Sequence, residues 1–390
     1  MLIHELRLGG LLSFGPETPS LKMESLNVLI GPNGSGKSNF IEALGLLRSA
    51  ATKLSAPMRG TGSSGVTEWI WKGDPKAVAS IEAVIDNPDG NQPLRHHLAF
   101  CAQAQHLELV DERIENSAPY SSHSDVYFYY RFQNGRPVLS IRDSEQKRQL
   151  QRQDIALDES ILTQRRDPDQ YPEMAFLAHQ YQQFRLFREW SFGRSSVFRA
   201  PQMADLRSDM LEENFSNLGL FLNYLRSFPK VKNTIIAQLR NLYEGLDDFD
   251  VRIKGGTVEV FLTEGDFVIP ASRLSDGTLR FLCLLAILCD PDPPPLICIE
   301  EPELGLHPDM LPRIADLLIS ASQRTQLVVT THSDILVDAM TERPQCVVVF
   351  EKHDRCTQAT RLNEEALADW LKQYRLGQLW TRGQIGGVRW

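Results

Sequence analysis

The chain has 390 residues, is 42% hydrophobic and carries a formal charge of −9, so it can bury a large core in one domain or two lobes and is not a polycation that coats nucleic acid. It has no run of about 18 apolar residues, and its start, Met-Leu-Ile-His-Glu, has no signal-peptide character, which together point to a soluble cytoplasmic protein without membrane segments. The six cysteines (Cys101, Cys283, Cys289, Cys298, Cys346 and Cys356) form no Cys-x-x-Cys pair and read as reduced thiols rather than metal ligands or disulfides.

In chain order, Leu2 to Phe14 reads as a first strand or hairpin. Leu26, Val28, Leu29 and Ile30 form an apolar strand, and Gly31-Pro-Asn-Gly-Ser-Gly-Lys37-Ser38 after it fits the pattern G-x-x-x-x-G-K-[ST] without a departure. The apolar spacing from Asn39 to Arg48 is that of a helix. A glycine turn between strand and helix lets successive backbone N–H groups wrap a phosphate at the positive end of the helix, with Gly34 and Gly36 leaving room for close approach. Asn33, Gly34, Ser35, Gly36, Lys37, Ser38 and Asn39 are therefore the candidate nucleotide-binding residues. Lys37 is placed for the β- and γ-phosphates and Ser38 for Mg²⁺.

From Arg48 to Val66 the chain turns small and polar, including Gly60-Thr-Gly-Ser-Ser-Gly65, and reads as an exposed loop. Three β-rich pieces follow, Lys76 to Asp86, His97 to Val110 and Asp125 to Arg142, with turn chemistry at Asn87-Pro-Asp-Gly90 and Asn134-Gly135. They predict an antiparallel subdomain over 66–142. The aromatic run Tyr127 to Phe132 could stack bases, but such a strand is more often core. Ser144 to Tyr171 is polar and weakly periodic, a surface helix or a connection. Helical spacing returns at Leu177, Tyr181, Phe184 and Phe187, then from Leu211 to Phe228 and from Val231 to Leu242, which predicts a helical lobe over 143–245 without the heptads of a coiled-coil arm. Between Arg131 and Arg207 there are 13 Lys/Arg against 10 Asp/Glu, whereas the remainder has 28 against 40. Any basic patch for nucleic acid belongs there, although a mixed solvated face fits the same numbers.

Val251 to Leu262 reads as a hairpin about Gly255-Gly256, and Arg273-Leu-Ser275-Asp-Gly277-Thr-Leu-Arg280 opens an apolar helix, Phe281 to Cys289. Ser275 is a natural N-cap and Gly277 permits close approach, so this turn is a second candidate anion site. After Pro291 to Pro295, the strand Leu-Ile-Cys-Ile299 ends in Glu300-Glu301. Two adjacent carboxylates there repel unless a metal–phosphate group lies beside them: one can bind metal through water while the other orients the attacking water. A helix from Met310 to Ser320, a strand from Gln326 to Thr331 and then His332-Ser333 repeat the unit. Alternating strand and helix predicts a parallel sheet whose C-terminal edge gathers Lys37, Glu300, Glu301 and His332.

The order of phosphate loop, Leu274-Ser-Asp-Gly-Thr278, Ile297-Cys-Ile-Glu-Glu-Pro-Glu-Leu-Gly-Leu-His-Pro308 and Thr330-Thr-His-Ser333 resembles the ABC-type ATPases of the SMC/RecF/OLD-like branch, close to stand-alone AAA-like ATPases. The resemblance spans residues 1 to about 350, and the tail from Leu376 to Trp390 is similar to tails in that group. It implies an α/β P-loop head with a mostly parallel core sheet flanked by helices, an antiparallel β subdomain and a helical lobe. The signature, acidic and histidine motifs would lie in 250–350, with 351–390 as a C-terminal extension. It further implies that two heads dimerise over ATP and Mg²⁺, each nucleotide lying between the phosphate loop of one copy and Ser275 and Gly277 of the other. Glu301 then falls in the place of the catalytic base, Glu300 on the metal side, and His332 in the place of the γ-phosphate histidine. Three departures stand out: Glu300 replaces the commoner Asp, the glutamine that couples nucleotide to the lobes has no assigned position, and the roughly 60 residues after His332 leave no room for a nuclease domain. The expected role is an ATPase that processes nucleic acid or defends against foreign DNA. The alternative is an ATP-gated switch on a separately encoded nuclease or toxin, and the motor of a membrane transporter is a third reading, opposed by the Leu-Ser-Asp-Gly-Thr signature.

Overall fold

The computed structural model describes residues 1–59, 65–74, 76–88, 90–120, 124–133, 136–140, 147–149, 156–190 and 193–387. The sequence readings at Gly60 to Ser64, at Asn134-Gly135, over much of Ser144 to Ile155 and at Val388 to Trp390 lie outside the described residues.

The core is a six-stranded sheet in the order Arg185–Phe187, Leu296–Glu300, Gln326–Thr330, Leu26–Ile30, Val347–His353 and Cys356–Arg361. The first five strands are parallel and the last is an antiparallel edge. A sheet covered on both faces needs apolar side chains at every position, and Leu26–Ile30 and Gln326–Thr330 are buried throughout. Alternate residues feed two cores. Val28, Ile299, Val329 and Val349 pack with the helices Asp276–Leu288 and Leu311–Ala321, while Leu29, Cys298, Val328 and Val348 pack with the helix Lys37–Ala50.

The second sheet is an eight-stranded antiparallel meander: Leu21–Lys22, Ile3–Gly9, Ala79–Ile85, Leu94–Gln103, His106–Asn116, Phe128–Gln133, Arg136–Ser140 and Lys147–Gln149. It takes in the first strand of the chain as well as the β-rich segment, and Gln326 ties it to the core sheet. The side chain of Gln326 accepts from the Ile3 N–H at 2.8 Å and donates to the Ile3 carbonyl at 2.8 Å. Of the aromatic run, Tyr130 and Phe132 are buried, Phe128 and Tyr129 are half-buried and Tyr127 is exposed. A third small sheet pairs Thr257–Glu264 with Asp248–Lys254, Gln202–Met203 and Phe267–Pro270, the Gly255-Gly256 hairpin included.

Two sequence expectations need correction. The helical spacing through Phe184 and Phe187 is broken: the helix is Pro172–Gln182, and Arg185–Phe187 is the edge strand of the core sheet. Leu186 enters one core and Phe187 the other, which is strand geometry, but three residues are too few to carry a readable period. The single β-rich piece His97 to Val110 is two strands, turned at Ala104 and Gln105 with φ of 48° and 67°. That is a left-handed pair built without the asparagine and glycine that announce such turns. The helix after the signature turn runs Asp276–Leu288 from its Ser275 cap, and its residues 279–288 are all buried, as an apolar core helix requires.

Candidate functional site

The phosphate loop follows Leu26–Ile30 at the C-terminal edge of the sheet and enters the helix Lys37–Ala50 through Gly36. Gly31 and Gly36 hold φ of 145° and 109°. A Cβ on Gly31 would meet the Phe350 carbonyl oxygen at 2.2 Å, and one on Gly36 would meet Thr357 Oγ1 at 2.3 Å. The glycines therefore serve packing as well as phosphate access: a side chain at Gly34 would meet nothing within 4 Å, whereas Gly36 is pressed against the edge strand Cys356–Arg361. Thr357 Oγ1 donates to the Ser35 carbonyl at 2.8 Å and accepts from the Ser13 hydroxyl at 2.7 Å, and the Asn39 amide donates to that same Ser13 oxygen at 2.8 Å. Asn39 thus braces the loop from below. Asn33, Gly34 and Ser38 are exposed above it.

Lys37 is only 6% exposed, and its ammonium donates to the carbonyls of Gly31 at 2.6 Å and Pro32 at 3.2 Å. Burial pushes it down from 10.5 to about 8, against the raising fields of Glu301, Glu300 and Glu303. Among the described residues no carboxylate pairs with it within ion-pair distance. It is a desolvated cation held by two loop carbonyls, and an anion would relieve it.

Glu300 ends its strand and Glu301 turns away from it with φ of 47°, a left-handed conformation that costs a non-glycine residue about 1 kcal/mol or more. Three hydrogen bonds hold it there. The Glu301 N–H donates to the Thr330 carbonyl at 3.1 Å and to Thr330 Oγ1 at 3.2 Å, and Arg280 donates to the Glu301 carbonyl at 2.7 Å. The Glu301 carboxylate lies 3.6 Å from His332 Nε2, both side chains being about one-third exposed. Burial, with the Lys37 charge, keeps the His332 imidazole below its ordinary value, against the raising fields of Glu301 and Glu303, which favours its neutral form. The histidine turn is fixed by Glu303, whose Oε1 accepts from Thr331 Oγ1 at 2.7 Å and from the His332 N–H at 2.8 Å. Its other oxygen is buried without a hydrogen-bond partner among the described residues.

Sequence reasoning missed several of these groups. Arg188, just past the edge strand Arg185–Phe187, donates to Glu300 Oε2 at 3.2 Å and to Glu42 Oε1 at 3.2 Å. Trp190 donates its indole N–H to the Glu300 carbonyl at 2.8 Å, and the Arg280 guanidinium lies 4.4 Å above its ring. Both cations are invisible without the fold, because each meets its carboxyl or carbonyl partner from a distant part of the chain. The second turn has the cap that its serine predicts. Ser275 caps Asp276–Leu288, its hydroxyl accepting from the Thr278 N–H at 3.0 Å, and Ser275 itself is exposed. A Cβ on Gly277 would meet the Gly305 carbonyl at 3.1 Å, so this turn packs against the loop that follows Glu301. Among the described residues no hydrogen bond joins Ser275 or Gly277 to the phosphate loop.

Lys37, Glu300, Glu301 and His332 therefore meet at one sheet edge, while Ser275 and Gly277 present a separate turn. Residues 26–338 match the family model described as an AAA domain, putative AbiEii toxin, type IV TA system. The chain belongs to that family. As a fold, this AAA-family ATPase is similar to the Smc head bound to the C-winged helix domain of ScpA, at a TM-score of 0.56 and 16% identity, with 94% of this chain and 99% of that one covered. It is also similar to the Smc head with an extended coiled coil bound to the C-terminal domain of ScpA from Pyrococcus furiosus, at a TM-score of 0.54 and 15% identity, covering 96% and 99%. A stretch of 97 residues, 24% of the chain, is 32% identical to the chromosome partition protein Smc of Rhodopirellula baltica and spans 8% of that protein's length. Its fold is that of the Smc heads. No helix among the described residues is long and apolar enough to cross a membrane.

Proposed function

We propose that this ATPase holds Mg²⁺–ATP between two copies of itself and hydrolyses it with Glu301 as the general base. The observation that carries the reading is Lys37: a buried ammonium at the end of the phosphate loop, lowered to about 8 and bonded to loop carbonyls, suits an anion such as a phosphate. Ser38 and, through water, Glu300 would hold the metal, whose charge would offset the crowding of Glu300, Glu301 and Glu303. In the reaction Lys37 neutralises phosphate charge, Glu301 orients the attacking water and accepts its proton, and neutral His332 donates toward the γ-phosphate from beside Glu301. Ser275 and Gly277 serve the nucleotide of the other copy. The test is turnover: Lys37→Ala abolishes nucleotide binding, whereas Glu301→Gln binds ATP and loses hydrolysis. Near-normal hydrolysis by Glu301→Gln removes it from the catalytic role.

For the output of this cycle, the effector-switch reading gains over direct DNA processing. Arg131, Arg188, Arg199 and Arg207, in the locally basic segment, each face a carboxylate, and Arg185 is lowered by burial. Four of the 13 basic residues of that segment are thus paired within the chain, which leaves less positive charge there for phosphates. DNA binding that falls steeply with salt and flattens on charge reversal at Arg165 and Arg166 would restore the nucleic-acid reading.

A further inference from the structure

The segment Leu376–Gly387 touches both flanks of the proposed ATP site and contains none of its residues. At one flank the helix Leu376–Thr381 packs on Asp334–Asp338, the short helix that follows His332 and Ser333. The Gly377 N–H donates to Asp338 Oδ1 at 2.7 Å and the Leu376 N–H to Thr341 Oγ1 at 3.1 Å. A Cβ on Gly377 would lie 2.2 Å from the Asp334 carbonyl oxygen, so the two helices meet only because that Cβ is missing. Leu376 and Trp380 are buried in one core with Leu336, Val337 and Met340.

At the other flank the chain returns to the phosphate loop. The Gly387 N–H donates to Glu351 Oε1 at 2.9 Å, on the strand beside Leu26–Ile30, and the Trp380 indole donates to the Gly387 carbonyl at 3.2 Å. The Cβ position of Gly387 is 3.5 Å from Gly31 Cα, and that of Gly31 is 2.2 Å from the Phe350 carbonyl oxygen. Gly31 is thus confined between the Phe350 carbonyl and the tail, and its own carbonyl is the one that holds Lys37.

We propose that Leu376–Gly387 is a positioning element of the ATP site, in which Trp380 and Gly387 tie the His332 turn to the first residue of the phosphate loop. The inference rests on the ATP-binding reading and adds a coupling to it. A nucleotide that touches both the loop and His332 fixes the tail, and by reciprocity a loosened tail weakens the nucleotide by the same factor.

The experiment uses the full chain. In Glu301→Gln, hydrogen exchange at the amides of Gly377 and Gly387 is followed without nucleotide and with ATP and Mg²⁺, and both slow about tenfold with ATP. In the Glu301-containing protein, Trp380→Phe keeps an aromatic ring, though a smaller one, and loses the N–H, and Gly387→Val strains the contact outright. Each raises KM for ATP about five- to tenfold while kcat at saturation stays within about twofold, since neither touches Glu301. A tail with only a structural role lowers the melting temperature and leaves KM and the ATP-dependent exchange unchanged, and that result overturns the inference even where Gly387→Val fails to fold. Wild-type protein and Lys37→Ala are measured alongside. Absence of ATP binding in the wild type would defeat the underlying reading instead.

Discussion

With Lys37 in its proposed place at the phosphates, ATP affinity should fall as the pH rises. Burial lowers the Lys37 ammonium from 10.5 to about 8 in the nucleotide-free chain, and a triphosphate within contact distance restores the charged form. A base whose pKa rises on binding takes up a proton, so affinity is full below the free pKa and falls as the pH rises through it. With a free pKa of about 8, roughly nine-tenths of the chains carry the charge at pH 7 and roughly one-tenth at pH 9, so Kd for Mg²⁺–ATP rises about tenfold between them. Titration calorimetry at pH 9 in buffers of different protonation enthalpy should report uptake of about 0.9 proton per site. The same shift acts on folding with the sign fixed by the proton count. The unfolded chain keeps the Lys37 proton up to 10.5 while the native one releases it near 8. Stability therefore rises with pH across that window, by at most about 3 kcal/mol. A Kd constant within twofold from about pH 7 to about pH 9, with buffer-independent heats, would refute the assignment of Lys37 as the buried anion-seeking cation.

Two further substitutions follow from contacts at the same edge. Arg188→Ala removes a guanidinium that competes with metal for Glu300, so the Mg²⁺ concentration that half-saturates nucleotide binding should fall about fivefold, the effect of roughly 1 kcal/mol of charge repulsion. A metal titration giving an unchanged or higher midpoint would place Glu300 outside the metal's reach. Gly36→Ala forces a Cβ to within 2.3 Å of Thr357 Oγ1 at φ of 109°. Urea unfolding should show a loss of about 1–3 kcal/mol, partly recovered by Thr357→Ser, which deletes a methyl group that also crowds the site.

What could be read from the sequence was whatever is written locally. The phosphate loop, the strand ending in Glu300-Glu301 and the Thr-Thr-His-Ser turn each announce themselves within about ten residues, because each sits where a buried apolar run stops. The parallel order of their strands then brings Lys37, Glu300, Glu301 and His332 together without any further signal. What could not be read depends on contacts between distant segments. Arg188 follows a three-residue strand whose place in the sheet is set by backbone pairing with Leu296–Glu300. Thr330 and Arg280 hold Glu301 in a conformation its own identity disfavours, and nothing in Glu300-Glu301 predicts that they would. Glu303 was legible as one more acid in a motif, but its bonds to Thr331 and His332 appear only once the two strand ends are adjacent. The tail is the extreme case: Gly387 meets Gly31 across more than 350 positions of the chain.

On the proposed reading ATP joins two copies, because the exposed Ser275 and half-buried Gly277 open a different helix from the one the phosphate loop enters and would take up the other copy's phosphate. Two copies related by a two-fold axis would place each turn on the other's nucleotide, so that binding energy for the γ-phosphate becomes binding energy between subunits. Sedimentation velocity of Glu301→Gln decides it. With ATP and Mg²⁺ the protein should sediment as a dimer at concentrations where the ADP form is monomeric, and adding Ser275→Arg should abolish the shift while ATP binding to the monomer persists. An oligomeric state indifferent to ATP, and unchanged by Ser275→Arg, would contradict the account and reduce Leu274 to Thr278 to a capped helix start.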